Sequence, residues 1–366
     1  VTDSTGTYNR TSHDLPSSQG SFTAENSFIT RNIGDSKNIK IGSYESITTG
    51  SNPYQISVPI NGYLYVANQG AGTVSVIRIS DNTLTDTITV GDEPYGLTYS
   101  NSQLYVANTG SDTVSVIDPS DNTVTDTIAV GVRPYYAEKI GNTVYVTNGA
   151  SNTVSVINTT SNTVTDTIAV GSYPRGIKAH GTDLYVANYG DPNYSGGNYI
   201  SVIDSLTNEV TDTIILPGGS DGPRGVTVLD SKVYVTNFRS NNVSVINTAT
   251  NTITNTIEVG TGPRGIIGLG TNIYVENFDD GTISVIDTNS NTVAETITVG
   301  HSPAGMSISG TDIYLTSFQD NKVYILDTLT NTLQDETTTP DPDPTPTPNV
   351  SGSSKRFFLQ PTTPVS

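Results

Sequence analysis

One tetrad, Tyr-Val-x-Asn or a close variant of it, recurs along the chain at Tyr65, Tyr105, Tyr145, Tyr185, Tyr234, Tyr274 and Tyr314. The steps between these tyrosines are 40, 40, 40, 49, 40 and 40 residues. A period near 40 residues means repeated supersecondary modules, each too small to bury its own apolar face and therefore packed on its neighbours.

One repeat reads as four strands. Leu104–Asn108 and Thr113–Asp118 are short β-branched and aromatic runs with apolar residues at alternate positions, separated by a Thr-Gly-Ser-Asp turn. Thr123–Val130 follows the turn residues Pro119-Ser120-Asp121-Asn122, and Tyr135–Ile140 follows Gly131 and Pro134. No segment has the apolar spacing of an amphipathic helix, so the fold class is all-β. Four antiparallel strands per repeat make a blade. A closed ring of seven blades removes the exposed ends that a stack would have to cap, and no atypical capping repeat is visible. The expected architecture is a seven-bladed β-propeller. Its repeat lacks the tryptophan of the WD type and is too short for kelch.

The VYVTN copies at 144–148 and 233–237, the three LYVAN copies, and the partner motifs TVSVI and NTVTDTI resemble the YVTN family of β-propellers. That family is known from surface-layer and other extracellular proteins of archaea and some bacteria. The resemblance spans residues 44–338 and implies the propeller fold and an extracellular setting. It implies no single chemistry, since such rings serve many roles.

The domain reading is an N-terminal extension at 1–38, a propeller at 39–338, and a Pro/Thr-rich linker with a docking tail at 339–366. A net charge of −19 excludes nucleic acid as a partner, because phosphate binding needs a basic face. The absence of cysteine excludes disulfides and thiolate metal sites. No apolar run is long enough to span a bilayer, and a leader removed ahead of Val1 is expected. Acceptor sequons at Asn9, Asn158, Asn193, Asn242 and Asn349 suit a secreted glycoprotein.

Residues 43–53 match the last strand of a repeat, whereas the C-terminal candidate at Leu333–Thr339 has lost its apolar pair. Tyr44–Thr49 is therefore expected to close the ring, leaving 333–339 displaced, added as an extra edge strand, or lent to a neighbouring molecule. The outer strands carry Glu45, Asp86, Asp126, Asp166, Asp212, Glu295 and Asp335 at equivalent places, where charge guards exposed edges against strand pairing. Past the ring, 340–348 reads as a polyproline-II spacer of about 28 Å at about 3.1 Å per residue. Lys355, Arg356, Phe357, Phe358 and Leu359 then form a basic and apolar hook for linking subunits.

Irregular loops at 190–198 and 217–222 fall on one face, as binding loops do. That face also carries Arg175, Arg224 and Arg264 in Pro-Arg-Gly turns, Arg133 beside Pro134, and Tyr189, Phe238, Phe278 and Phe318 after the tetrads. Arginine among aromatics is the composition of an interaction patch for carboxylates, sugars or a protein tail. His13, His180 and His301 lack metal-ligand spacing, Asp279-Asp280-Gly281 reads as turn chemistry, and no nucleophile motif is present. The innermost strands are largely apolar. No metal, cofactor or catalytic residue is expected. The functional expectation is a non-enzymatic subunit of a cell-surface layer or fibre, a homo-oligomer or polymer linked through its terminal segments. The alternative is an adhesion or ligand-binding propeller, using the Arg/aromatic face for an anionic glycan, a peptide or another surface protein.

Overall fold

Each repeat folds as four antiparallel strands. Blade 2 shows the pattern: Pro94–Ser100, Gln103–Asn108, Thr113–Asp118 and Thr123–Ala129, paired in that order. The computed structural model describes residues 45–190, 198–218 and 221–334, and there it forms seven such sheets. The expected all-β, seven-bladed ring is the observed one.

The two middle strands are buried on both faces, so Leu104, Tyr105, Val106, Ala107 and Asn108 all lie out of water. Alternation in the sequence there separates two packed faces. One example joins Tyr105, Val114 and Val116 of blade 2 to Ala137, Val144 and Ile157 of blade 3. Each such side chain contributes about 1.5–3 kcal/mol on burial. Outer strands are exposed except for one isoleucine each, such as Ile128 in Thr123–Ala129.

Polar residues of the repeat tie blade to blade. The turn before each outer strand holds an asparagine in the left-handed region, with φ from 51° at Asn251 to 59° at Asn122, a conformation asparagine tolerates. Asn122 Oδ1 accepts from the Tyr65 hydroxyl at 3.1 Å, while its Nδ2 donates to Asp86 at 2.9 Å, both in the preceding blade. The same clamp joins Asn251 to Tyr185 and Asp212, and Asn82 to Tyr314 and Glu45. Tetrad tyrosines and outer carboxylates are thus interblade hydrogen-bonding groups as well as edge guards. The tetrad asparagine works within its blade, where Asn108 Nδ2 donates to Ser115 at 2.9 Å. A Cβ on Gly91 would lie 2.8 Å from that same amide, which fixes glycine there.

Ring closure follows the expectation with a refinement. Ser46–Thr48 pairs with Lys322–Tyr324 and buries Ile47. Thr332–Leu333 keeps the lower half of the same edge, opposite Leu326 and Asp327. The Glu45 amide donates to the Gln334 carbonyl at 2.8 Å, so the first and last segments of the ring meet in mid-strand. The segments 1–38, 335–339 and 340–348, and the hook at 355–359, lie outside the described residues.

Candidate functional site at the channel mouth

Each innermost strand begins with a proline opposite the tetrad position, as in Pro94↔Asn108, and the register then shifts before the ladder resumes at Leu97. The shift frees the residue after the proline from the ladder and turns it toward the channel, as bulges do. Around the ring that residue is Tyr54, Tyr95, Tyr135, Arg175, Arg224, Arg264 and Ala304. Three adjacent tyrosines face three adjacent arginines across one opening. All six line a mouth cavity of about 340 Å³, together with Arg133, Phe278 and Phe318.

Arg224 sits at the floor, 6% exposed, with Nη2 donating to the hydroxyls of Tyr54 at 2.5 Å and Tyr95 at 2.9 Å. Arg264 Nη1 donates to Tyr54 at 3.4 Å and stacks on Phe278, its Cζ 3.1 Å from the ring centroid. Arg175 lies 3.7 Å over Tyr135 and also meets Tyr173 and Tyr189. Phe238 lies within 5.2 Å of Arg224 and 5.4 Å of Arg264, and Arg133 donates to Tyr173 at 3.0 Å. Phe318 meets Tyr54 edge-on. All eight residues expected on this face are brought together there.

Electrostatics sets this site apart. Arg175, Arg224 and Arg264 form no ion pair among the described residues, and the Nε of each is buried without a partner. Burial alone would raise the Tyr54 phenol, but Arg224, Arg264, the Tyr95 hydroxyl and Arg175 outweigh it and draw the pKa down to about 8. Tyr95 moves the other way, raised mainly by burial. Tyr54, held by both guanidiniums, is the member of the pair that ionises first. The mouth can therefore hold an anion on guanidinium and accept a proton on a phenolate beside it.

Beneath the mouth, Gln55 and Tyr136 stand where five other blades have glycine. The lower channel holds a second cavity of about 410 Å³. Most of its lining residues are apolar, as expected from the innermost strands, but Lys178 and Glu138 also pair inside it at 3.0 Å.

Glu276 departs from its repeat. Threonine at the equivalent position donates to the next blade's carbonyl, from Thr147 to Arg175 and from Thr236 to Arg264, each at 2.8 Å. The Glu276 carboxyl is fully buried and completes no hydrogen bond. Burial pushes its pKa up to about 8, against smaller opposing effects of the nearby Gly265 amide, Arg264 and Arg224.

Other candidates resolve simply. Asp280 accepts from the Thr261 amide at 2.5 Å and Gly281 closes the turn, so this segment caps a hairpin. His301 lies 3.2 Å from Asp320 at an exposed edge, and His180 ends an innermost strand. No cluster with metal-ligand composition occurs among the described residues. Asn158 is exposed at a strand end, whereas Asn242 is 4% exposed and accepts from Asn237 Nδ2, leaving no room for a glycan in the folded blade. Asn9, Asn193 and Asn349 lie outside the described residues, as does His13. Sequence reading missed Tyr54, Tyr95, Tyr135 and Arg239; the last pairs with Asp221 at 3.2 Å under Tyr189. The signal for the tyrosines was present, since each follows the same proline as the arginines do.

No protein-family model and no curated protein sequence matches the chain. Among solved structures, a chain of Kuenenia stuttgartiensis hydrazine synthase superposes with a TM-score of 0.70 at 18% identity, covering 81% of this chain and 99% of that one. Virginiamycin B lyase from Staphylococcus aureus superposes with a TM-score of 0.67 at 19% identity, covering 77% and 97%. A streptogramin B lyase gives 0.65 at 18%, covering 77% and 96%. The shared property is the propeller fold. These structures also correct the expectation that the chain is not an enzyme: they come from enzymes, so the fold gives no ground for excluding catalysis.

Proposed function

We propose that this propeller is a binding module whose channel mouth takes the anionic group of an extended ligand, a carboxylate-bearing glycan or peptide. The observation that carries the reading is the set Arg175, Arg224 and Arg264. In a chain of net charge −19, three adjacent blades place guanidiniums at one opening with no carboxylate partner among the described residues. Buried charge is costly unless it is paired, and arginine meets a carboxylate with a planar fork of donors. Aromatic faces around the opening suit the apolar faces of sugar rings or peptide side chains. The YVTN resemblance supports an extracellular or cell-surface setting, and exposed Asn158 is the sequon in the described residues open to a glycan.

The test is calorimetry with oligogalacturonate and with a glutamate-rich peptide, using neutral dextran as control. Arg175→Ala combined with Arg224→Ala is expected to weaken binding at least tenfold, since each charged hydrogen bond is worth about 1.5–3 kcal/mol. Affinity should also fall as salt rises. Because Arg224 is buried, Arg175→Ala alone, at the more open edge, is measured in parallel and is expected to lose part of the affinity. Unchanged binding in both variants would overturn the reading.

A further inference from the structure

The mouth is lined by aromatic faces from Tyr54, Tyr95 and Tyr135 and by guanidiniums of Arg175, Arg224 and Arg264 that form no ion pair among the described residues, with Glu93 as the one carboxylate in the lining. The chain carries a stretch with the matching pair. Residues 335–348, DETTTPDPDPTPTP, hold four carboxylates, five prolines and no basic residue. Proline-rich segments adopt a preformed polyproline-II helix that docks on aromatic-lined grooves, and acidic motifs are recognised by clustered arginine. The geometry points to this acidic, proline-rich segment of a second copy as the occupant of the mouth. The inference rests on the anion-binding reading above and names its ligand.

The place where the chain leaves the ring argues for a second copy rather than the chain's own tail. In the other blades the outer strand runs its full length up to the mouth face, as Thr123–Ala129 does before Pro134. In blade 7 Thr332–Gln334 take the lower half of the outer edge, and Glu45–Thr48 take the upper half. The edge between Gln334 and the mouth of the same ring is therefore already filled. Residues 340–348 carry proline at alternate positions, and proline-rich chains are in general semi-rigid spacers. That composition favours reaching a second copy over a sharp return to the same ring. Each copy then offers one mouth and one segment, a heterologous contact that propagates from copy to copy.

The test uses the full chain, followed by analytical ultracentrifugation across a wide concentration range. Concentration-dependent assembly is expected. A free peptide of sequence 335–348 should dissociate it, and both Arg175→Ala and the pair Asp341→Asn with Asp343→Asn should weaken it at least tenfold. A full chain that stays monomeric at high concentration overturns the inference, as does assembly indifferent to the peptide and to both sets of substitutions. Oligogalacturonate separates the two readings. If it binds the full chain in an Arg175-dependent way while assembly fails, the anion-binding mouth stands and its proposed occupant falls. If neither occurs, both fall.

Discussion

Two residues carry the unusual chemistry of this ring, and both titrate near pH 8. Unfolded, Glu276 loses its proton near 4.5, whereas burial holds it until about 8. Between those values the folded state binds the extra proton, so this group's stabilising contribution, complete below 4.5, is lost as pH rises through 8. The slope reaches about 1.4 kcal/mol per pH unit at most. Glu276→Gln is expected to flatten that part of a urea-denaturation series, and Glu276→Thr to raise stability at pH 8 by restoring the hydroxyl used in other blades. Tyr54 has the opposite sign: its pKa falls from 10.0 to about 8, so its contribution is present above 10 and lost as pH drops through 8. Ultraviolet titration should show one phenolate forming near pH 8 that is absent from Tyr54→Phe. The arginines of this site were legible because Pro-Arg-Gly stands out by eye. The facing tyrosines were not, because Pro-Tyr differs little from the background of a tyrosine-rich repeat until the blades are laid in register. The isolation of Glu276 was hidden for another reason: a single letter cannot show that both faces of its strand are covered.

At the scale of the strand, the outer edge of blade 7 exposes what the repeat requires. The six other blades bury an isoleucine at one position of the outer strand, including Ile88, Ile128 and Ile297. The C-terminal continuation of the repeat would place Thr337 there, while the N-terminal segment supplies Ile47. Ile47→Thr is therefore expected to cost about 2 kcal/mol, read as a lower urea midpoint with an unchanged slope. Which end closes the ring was readable from that one apolar residue. The seam itself was not, since the sequence does not show that Thr332–Gln334 keep their half of the edge. The clamp between blades gives a second prediction at this scale. Asn122→Ala removes the acceptor of Tyr65 and the donor to Asp86, and should cost about 1–2 kcal/mol in the same assay. The turn asparagine looked like turn chemistry alone, because its interblade role needs partners from the preceding repeat.

Across the whole molecule, the meeting of Glu45 and Gln334 makes the starting point of the chain arbitrary. The equivalent residues of blade 1, Thr85 and Asp86, share a peptide bond, where these two share a hydrogen bond of 2.8 Å. A circular permutant that joins Gln334 directly to Glu45, and opens instead in the link between blades 2 and 3 at Gly131-Val132, should keep the wild-type circular dichroism and unfold cooperatively. Loss of cooperativity would show that the break in blade 7 is needed for folding. If the permutant folds, the ring has no beginning of its own, and the place where its two ends emerge is a choice the sequence has made. Moving that choice to another blade would carry the seam around the rim like a clock hand, with the same seven blades behind it.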